Sequence, residues 1–467
     1  MISLPWLHRA DRRDTPHSRR IPRLAAVVLW VAIASACGRE VRPNIVLITL
    51  DTTRSDRLGC YGYAGATSPN LDRFAAEGVL HTRAYSNSSW TFPAHASLFT
   101  GKFTTSHGAK YDPDGSLLLT SVVDGPERWS RFRARGLAPD ERTLATLLAR
   151  AGYATGAVVA GPWLKRAVGL DAGFGHWDDE GISSMNGRRA PEVTDRGLAW
   201  LDDAPDRPFF LFLNYFDPHQ PLAAPREFVR DHSARAGVDP ILHDLDRRYD
   251  AEIRFMDHHL GRFFRGLRER GLYEASWIIV TADHGELLGE HGLKGHGNTL
   301  HEELIRIPLI VKYPGSGGSA GTVHSPAQLV DVFATILDHL GLPIPPDAQG
   351  DPLGEVGHPV IAELFPLDFM RNALRGSSEE WRGEIQTLHR GDYKFVWSSE
   401  GRHQLFDLAL DPHESENRMA ELGEVAASMQ AELKDYVTAL PGPAQQGAAR
   451  QVDPETEEAL RNLGYIE

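Results

Sequence analysis

Cysteine is almost absent from this chain of 467 residues, which has two, Cys37 and Cys60. Cys37 stands at the end of an N-terminal segment with the features of a removable signal, so Cys60 has no cysteine left to pair with. An internal disulfide is therefore excluded, even in an oxidising compartment. Stability must come from the core, for which 42% hydrophobic residues and this length are ample.

An excess of positive charge is also lacking. The chain has 49 lysines and arginines against 63 aspartates and glutamates, for a formal net charge of −14. General nucleic-acid binders need a basic face, so we expect no nucleic-acid partner. Anionic membrane surfaces repel an acidic protein. Any membrane attachment should therefore come from a covalent lipid and not from the protein surface.

The apolar run near the N-terminus is too short for a comfortable transmembrane span. Residues 1–36 hold six arginines followed by LAAVVLWVAIASA, an arrangement typical of a signal peptide. The segment ends in ASAC, and this ending is similar to bacterial lipoprotein signals, which predicts a lipid on Cys37. An ordinary secretory signal is the alternative. We expect export to a bacterial cell envelope, as a periplasmic protein or membrane-anchored lipoprotein, with full secretion as a further alternative.

Internal repeats are lacking too, and two kinds of segment alternate along the chain. Helical patterns that end at glycine lie between five apolar, β-rich runs. These runs are NIVLITL (44–50), ATGAVVA (154–160), FFLFLNY (209–215), WIIVTA (277–282) and IPLIVKY (307–313). Such alternation predicts an α/β fold with a central, mostly parallel sheet flanked by helices on both faces.

The composition changes after the last of these runs. PIPPDAQGDP indicates a linker, and RGDYKFVWSSEGRHQLFDLALDP predicts short antiparallel strands around a turn. We therefore expect a signal peptide over 1–36, a main α/β domain over 37–341, a smaller C-terminal α+β subdomain over 342–435, and a tail over 436–467.

Asp and His side chains follow three of the predicted strands at the point where each strand ends. Asp51 follows the first, Asp283 and His284 follow WIIVTA, and Asp217 and His219 come shortly after FFLFLNY. In open parallel sheets the active site forms outside the carboxyl ends of the strands. Mixed carboxylate and imidazole ligands suit one divalent cation, such as Mn²⁺, Zn²⁺, Mg²⁺ or Ca²⁺.

The glycine-rich loop GEHGLKGHGNTLHEE adds further histidines between two strands. Such a loop lets side chains approach a ligand closely. His296 is its first candidate for an anion binder or general acid, and His291 is the weaker one. A second metal ion, held by Asp217, His219 or His296, is an open alternative to a single site.

The stretch TFPAHASLFTG (91–101) places a hydroxyl, Thr91, before a short helix. One interpretation is a helix cap and nothing more. The other is a nucleophile, since a threonine hydroxyl attacks near neutral pH once a metal or base lowers its pKa. As the N-cap, Thr91 would sit where backbone N–H groups bind phosphate or sulfate. His95, one turn on, and Lys102, just past the helix, are candidate substrate-binding residues.

These segments resemble the sulfatase family of the alkaline phosphatase superfamily. The similarity runs from about residue 42 to 420, in the family's order. It is carried by RPNIVLITLDTTRSDRLGCYGY, SPNLDRFAAEGV, FPAHASLFTG, DPHQP, TADHGELLGEHG, EELIRIPLIV and LFDLALDPHESEN. The resemblance implies the sheet described above, a metal at its edge and a covalent hydroxyl-type nucleophile.

The resemblance also implies roles for individual residues. Asp51, Asp283 and His284 match metal ligands. Thr91 matches the nucleophile, which also contacts the metal. His219 and His296 match residues that contact the transferred group or the leaving oxygen.

Several positions depart from the family pattern. Sulfatases carry a Cys or Ser that is oxidised to formylglycine where this chain has Thr91, and oxidised threonine would be a ketone. His95 replaces an expected arginine, Thr52 replaces the second acidic metal ligand, and VAGPWLK stands where GKWHLG is usual. With these changes the sequence resembles branches of the superfamily that use an unmodified threonine. These branches are the bacterial phosphoglycerol transferases and the superfamily phosphodiesterases.

The implied reaction is hydrolysis or transfer of phosphate or sulfate esters, with phosphate favoured. Thr91 would attack in line and form a covalent ester, and His219 or His296 would protonate the leaving alkoxide. The substrate would be a small-molecule, glycan or lipid-headgroup ester. Two alternatives stand beside this one: a sulfuric ester hydrolase without formylglycine, and a catalytically degenerate binding protein for anionic glycans.

Overall fold

The computed structural model of the protein describes residues 42–122, 124, 133–203, 207–230, 239–315, 320–355, 357–365 and 383–443. By compactness the chain divides into Met1–Arg42 and Pro43–Glu467, and every element named below belongs to the second unit. The predicted signal peptide, the predicted lipid site Cys37 and the tail beyond residue 443 lie outside the described residues. Of the helices within those ranges, none combines the length and apolar character needed to cross a membrane.

Strands and helices alternate along the chain. In chain order the described strands are β1 (Asn44–Leu50), β2 (Val79–Tyr85), β3 (Lys110–Tyr111), β4 (Leu117–Leu118), β5 (Arg133–Arg135), β6 (Ala154–Val158), β7 (His176–Asp178), β8 (Phe209–Tyr215), β9 (Ser276–Thr281), β10 (Leu287–Leu288), β11 (Lys294–Gly295), β12 (Arg306–Lys312), β13 (Gly321–Val323), β14 (Ala327–Gln328), β15 (Val360–Leu364), β16 (Ile385–Arg390), β17 (Tyr393–Ser398) and β18 (Gln404–Asp407). The described α-helices are α1 (Pro69–Ala76), α2 (Thr91–Thr100), α3 (Thr104–His107), α4 (Leu144–Arg150), α5 (Ala190–Asp203), α6 (Pro240–Glu269), α7 (Glu302–Ile305), α8 (Leu329–His339) and α9 (Gly423–Ala439).

The central sheet is mostly parallel, as predicted. Its order is β13, β2, β12, β9, β1, β8, β6, β7, with β14 also paired to β2. β1 runs parallel to β8 and β9, and β6 runs parallel to β7 and β8. β12 is antiparallel to both of its neighbours, β9 and β2. All five predicted strands therefore lie in this sheet, and one of them, β12, runs against the others.

Both faces of the sheet are covered, because its strands are apolar on both sides. Along β1, Ile45 and Leu47 enter a core with side chains of α2, α4 and α8. Val46 and Ile48 point the other way, into a core with side chains of α1, α5 and α6. Each such buried side chain contributes about 1.5–3 kcal/mol. The predicted arrangement of helices on both faces is confirmed.

Helix α2 is held firmly at the end remote from the sheet edge. It ends at Gly101, whose φ of 67° suits a residue without a side chain. A Cβ at Gly101 would also lie 2.5 Å from the Phe333 ring of α8. Glycine therefore lets the C-terminal end of α2 pack closely against α8.

The C-terminal part forms a separate small antiparallel sheet in the order β15, β16, β17, β18. One face packs on α9 through Leu388, Phe395 and Met429. The other face packs on the segment before β12, where Leu304 and Ile305 lie. The predicted antiparallel strands after the linker are thus observed, and they abut the loop that carries the predicted His296.

Candidate active site

The strands β1, β2, β8 and β9 end at the same edge of the central sheet, where α/β enzymes carry their active sites. Asp51 follows β1 directly, and Asp283 follows β9 after one residue. The backbone N–H of Asp51 donates to the carbonyl of Tyr215 at 2.8 Å, which holds the end of β1 against β8. The loop after β2 leads into α2, which begins at Thr91.

Asp51, Asp283 and His284 converge at this edge. Their potential ligand atoms all lie within 4.8 Å of one another, and all three side chains are fully buried. Both carboxylate oxygens of Asp51, and Oδ2 of Asp283, have no hydrogen-bond partner among the described residues. Burial, and then the charge of Asp283, raise the pKa of Asp51 well above its ordinary value. An unpaired pair of buried carboxylates is costly unless a cation is bound between them.

The neighbouring hydrogen bonds orient these ligand atoms. Oδ1 of Asp283 accepts the backbone N–H groups of His284 at 2.9 Å and Thr52 at 3.2 Å, which leaves Oδ2 facing His284 Nε2 at 3.4 Å. The Nδ1 proton of His284 goes to the carbonyl of Gly285 at 2.8 Å. His284 therefore presents an unprotonated Nε2, and burial lowers its pKa to about 4.

Gly285 explains why glycine follows this Asp-His pair. A Cβ at Gly285 would lie 2.0 Å from the carbonyl oxygen of Glu303, so only glycine lets the two segments meet. The resulting donors, hard carboxylate oxygens with one imidazole nitrogen, fit a divalent cation of the kind predicted. Asp51, Asp283 and His284 are the residues that would hold it.

Thr91 lies against this group, in a different position on its helix from the one predicted. The N-cap of α2 is Trp90, in an extended conformation, and Thr91 is the first helical residue, so the predicted cap is wrong. Thr91 is 2% exposed, and its Oγ1 lies 3.1 Å from Nε2 of His284. No described side chain caps the helix, and Pro93 has no N–H to satisfy. The N–H groups of the first turn are thus open to an anion.

Residues that sequence reasoning did not identify shape the turn after β1. Thr52 has a φ of 54°, a strained value for a β-branched residue, and its N–H binds Asp283. The Tyr249 hydroxyl donates to the Thr52 carbonyl at 2.6 Å and accepts the Arg54 N–H at 3.0 Å. Arg54 in turn forms a two-point pair with Asp56. Nothing in the local sequence around Tyr249, inside α6, indicates this contact.

His219 and His296 also reach the site. The His296 ring lies 4.6 Å from that of His284 and 5.0 Å from that of His219, centroid to centroid. Nδ1 of His296 binds Oε2 of Glu286 at 2.8 Å, and Nδ1 of His219 binds the carbonyl of Gln220 at 2.6 Å. Within the described part of the chain, the Nε2 of each ring has no hydrogen-bond partner and could contact a substrate oxygen.

The two imidazoles have opposite pKa shifts. Burial alone would lower the pKa of His296, but the charge and hydrogen bond of Glu286 raise it above the ordinary value. Burial, and then the nearby His296, lower the pKa of His219 well below it. One ring therefore favours the protonated form and the other the neutral form. Glu286, at the end of TADHGE, is responsible for the raised pKa of His296, and nothing in that motif indicates this contact.

The two predicted substrate-binding residues have their polar atoms engaged by other protein groups. His95 is fully buried and binds the carbonyl of Thr91 through Nδ1 at 2.8 Å and Thr49 Oγ1 through Nε2 at 2.9 Å. Its Nδ1 also lies 3.6 Å from Oδ2 of Asp283, so His95 borders the predicted metal ligands, with both of its ring nitrogens engaged by the protein. Lys102 lies past the far end of α2, about 15 Å along a ten-residue helix. Its Nζ pairs with Glu141 at 2.6 Å and Asp347 at 2.8 Å, so its charge is already balanced there.

Asp217, the third predicted strand-end carboxylate, is engaged by protein groups. Its Oδ2 accepts the Ala190 N–H at 2.8 Å, and its Oδ1 pairs with Arg189 at 3.0 Å. Burial raises its pKa to about 6 against the opposing charge of Arg189. With both oxygens occupied, Asp217 fixes the loop that carries His219 and does not offer an open position for a second metal ion.

A second set of potential ligands is formed by His291, His301 and Glu414, and the rings of the two histidines stack at 3.7 Å. The positive charge at this set comes from a lysine side chain. Lys394 is fully buried, with its Nζ 2.7 Å from Oε1 of Glu414 and 3.2 Å from Oε1 of Glu302. We interpret this set as an ion network that joins the C-terminal sheet to α7.

Lys394→Met should therefore lower the free energy of unfolding by about 3–5 kcal/mol, because two buried carboxylates lose their partner. Burial alone would raise the pKa of Glu414, but Lys394, and then His301, hold it well below its ordinary value. The stabilisation is present above the ordinary carboxyl pKa and is lost as the pH falls below it.

Urea unfolding of wild type and variant at several pH values measures both effects. The control is exposed Lys434→Met, which should stay within about 0.5 kcal/mol of wild type. A loss in Lys394→Met no larger than that of the control would show that the network does not stabilise the fold.

A buried hydroxyl thus lies beside carboxylate oxygens that have no described hydrogen-bond partner, and these groups are compatible with metal-assisted ester hydrolysis. The family model described as Sulfatase matches residues 43–342, well over half of the chain. The chain belongs to the sulfatase family of the alkaline phosphatase superfamily, and it is a hydrolase of that superfamily. A second family model, N-sulphoglucosamine sulphohydrolase, C-terminal, matches residues 289–440. The predicted resemblance is confirmed.

The relatives span several activities by name. The uncharacterized sulfatase YidJ of Escherichia coli (strain K12) is 24% identical over 464 residues, covering 86% of this chain and 88% of that protein. The multifunctional alkaline phosphatase superfamily protein PehA of Trinickia caryophylli is 26% identical, covering 80% and 91%. The phosphonate monoester hydrolase of Agrobacterium radiobacter superposes with a TM-score of 0.66 over 85% of this chain and 96% of that one, at 21% identity. This structural likeness shows a shared fold.

Proposed function

We propose that the protein is an exported, metal-dependent hydrolase or phosphotransferase that cleaves phosphate mono- or diesters in preference to sulfate esters, through a covalent ester on Thr91. One observation carries the proposal. Thr91 Oγ1 lies 3.1 Å from His284 Nε2, beside oxygens of Asp51 and Asp283 that lack any described hydrogen-bond partner. A bound divalent ion would supply the positive charge that lowers the hydroxyl pKa and balances the charge on the transferred group.

Residues of the chain would carry out the bond changes and the proton transfers. The Thr91 hydroxyl would lose its proton to solvent before attack, since a bound cation would lower its pKa. As the bond from Thr91 Oγ1 to phosphorus forms, the bond from phosphorus to the leaving oxygen breaks, and the first turn of α2 holds the phosphoryl oxygens. Attack of water or an alcohol on phosphorus then breaks the Oγ1–phosphorus bond, and Thr91 regains a proton. His296, with its pKa raised beside Glu286, is the proposed donor of the proton to the leaving oxygen. His219, with its lowered pKa, is the proposed acceptor of a proton from the water or alcohol that releases the group.

The preference for phosphate rests on the side chain at position 91. The Cβ of Thr91 carries a single oxygen, the one that forms the ester. No second oxygen on that carbon is present to break the carbon–oxygen bond and release the group. Release must then be an attack at phosphorus or sulfur. Lys102 is paired with acidic side chains, and both ring nitrogens of His95 bind protein groups, so neither residue is available to add charge for a sulfate group. The named activities of the relatives, which include both sulfatases and a phosphonate monoester hydrolase, are compatible with either ester.

Export and attachment are proposed from the sequence alone. The arginine-rich start, the short apolar run and the ASAC ending support cleavage before Cys37 and a lipid on that residue. The substrate would then be a small-molecule, glycan or lipid-headgroup ester of the cell envelope. Fatty-acid labelling of wild type and Cys37→Ser in a bacterial host tests the anchor, and an unlabelled wild type would refute it.

A panel of aryl phosphate monoester, aryl phosphate diester and aryl sulfate, each assayed with several divalent metals, tests the substrate class. We expect at least one phosphate ester to be cleaved at about 10-fold or higher kcat/KM than the sulfate, which corresponds to 1.4 kcal/mol of transition-state preference. Faster turnover of the sulfate would establish the sulfuric ester hydrolase instead. No turnover of any ester, combined with no bound metal, would favour the glycan-binding alternative.

A further inference from the structure

Two polar residues interrupt the apolar strands below α2 at matched positions. Thr49 of β1 and Asn214 of β8 are register partners, and both are fully buried. Asn214 Nδ2 lies 3.1 Å from Thr49 Oγ1, which lies 2.9 Å from His95 Nε2. His95 Nδ1 lies 2.8 Å from the carbonyl oxygen of Thr91. A continuous line of hydrogen bonds thus runs from the centre of the sheet to the backbone of Thr91.

The direction of each hydrogen bond in this line is determined by its two ends. Oδ1 of Asn214 accepts the backbone N–H groups of Gly161 at 2.9 Å and Ala160 at 3.2 Å, so its Nδ2 must be the donor towards Thr49. At the other end a carbonyl can only accept, so Nδ1 of His95 carries the proton. Within the described chain the Thr49 hydroxyl has two partners, and since it accepts from Asn214, its own proton goes to His95 Nε2.

We infer that Asn214, Thr49 and His95 are positioning residues that hold the first turn of α2, and with it the Thr91 hydroxyl, in the reactive orientation. The inference rests on the proposed role of Thr91. No described side chain caps the start of α2, so the His95 contact is the side-chain restraint on the Thr91 carbonyl. Near-attack geometry is sensitive, and a displacement of about 1 Å can cost about 100-fold in rate.

Thr49 is the position to test, because it contacts neither Thr91 nor the proposed metal ligands through its hydrogen bonds. Thr49→Val keeps the shape of the side chain and removes the hydroxyl, whereas Thr49→Ser keeps the hydroxyl. We expect Thr49→Val to lower kcat by about 10- to 100-fold with KM and bound metal nearly unchanged, and Thr49→Ser to stay within about threefold of wild type. Unchanged kcat in Thr49→Val, or equal losses in both variants, would overturn the inference.

A second measurement does not depend on activity. Nitrogen-15 NMR of labelled histidine in the metal-free protein should show His95 with its proton on Nδ1, the resonance being assigned by its loss in His95→Gln. Thr49→Val should shift the Nε2 resonance, and Thr49→Ser should restore it. A wild-type His95 protonated on Nε2 alone would contradict the line of hydrogen bonds, even if Thr49→Val failed to fold.

Parallel assay of Thr91→Ala separates this inference from the proposed function. An active Thr91→Ala removes the covalent role itself. An inactive Thr91→Ala beside a fully active Thr49→Val leaves that role intact and refutes the positioning residues alone.

Discussion

Thr91→Ala should lower kcat for an aryl phosphate ester by at least about 10³-fold, the scale on which loss of a nucleophile acts in other hydrolases. The Thr91 hydroxyl lies 3.1 Å from His284 Nε2 and is the proposed nucleophile. KM should change little, because the first turn of α2 and the proposed metal ligands remain. Thr91→Ser, which keeps a hydroxyl, should retain a measurable part of the activity. Steady-state kinetics with metal content measured in parallel provides the comparison.

The matched control is Thr100→Ala in the same helix. Thr100 is also buried, but its hydroxyl donates to the carbonyl of Ala96 at the far end of α2. It should lose some stability and keep the wild-type kcat. If Thr91→Ala turned over at the wild-type rate, Thr91 would be excluded from the reaction. Equal losses in both variants would instead point to disruption of the helix.

Asp51→Asn should have opposite effects on metal binding and on stability. Loss of one carboxylate ligand should weaken divalent-metal binding by at least about 100-fold and abolish most activity. Yet the metal-free variant should be more stable than metal-free wild type at neutral pH, by on the order of 1 kcal/mol. The reason is that both oxygens of Asp51 are buried with no described partner, beside the charge of Asp283.

The pH dependence of that difference follows from the raised pKa of Asp51. Without metal, the folded protein holds the Asp51 proton more tightly than the unfolded chain, so stability is lost as the pH rises through the carboxyl range and beyond. The gain in free energy of unfolding from Asp51→Asn should therefore vanish at low pH and grow towards neutral pH. Thermal or urea unfolding in the presence of a chelator measures it.

Asp178→Asn is the control for a carboxylate in an ordinary structural ion pair. Asp178 pairs with Arg188 and Arg196, each at 2.8 Å, and these arginines lower its pKa although burial opposes them. Its replacement should destabilise the protein with metal or without. If Asp51→Asn destabilised the metal-free protein as much as Asp178→Asn does, the prediction would be contradicted. Asp51 would then belong to a structural ion cluster and not to a metal site.

The strands that carry the site were predictable because they are buried on both faces. β1 and β8 are continuous apolar runs, and in a parallel sheet the residues after them must meet at one edge. β2 was missed. Its sequence VLHTRAY mixes polar and apolar residues, because several of its side chains are only partly buried. Yet β2 delivers the loop that leads to Thr91, so its omission hid how Thr91 reaches the metal ligands.

The helix that carries Thr91 shows which local inferences fail. Spacing placed His95 on the same face as Thr91, and its ring does lie beside Asp283, but Thr49 and the Thr91 carbonyl occupy both of its nitrogens. Closeness in sequence suggested that Lys102 would add charge, but the length of α2 separates it from Thr91. Asn214 contacts Thr49, which is distant in sequence but adjacent in the fold. Glu286 lies inside the TADHGE motif and acts on His296 in the following loop. Periodicity reports which residues are buried, and it does not report which polar groups bind each other.

The covalent ester on Thr91 is the central claim, and the stereochemical course at phosphorus tests it most directly. The substrate would be a phosphorus-chiral aryl phosphorothioate ester hydrolysed in oxygen-18 water, with the configuration of the product determined. Attack by Thr91 followed by attack of water makes two in-line displacements, so we expect overall retention of configuration. Inversion would mean a single displacement by water and would contradict the covalent intermediate.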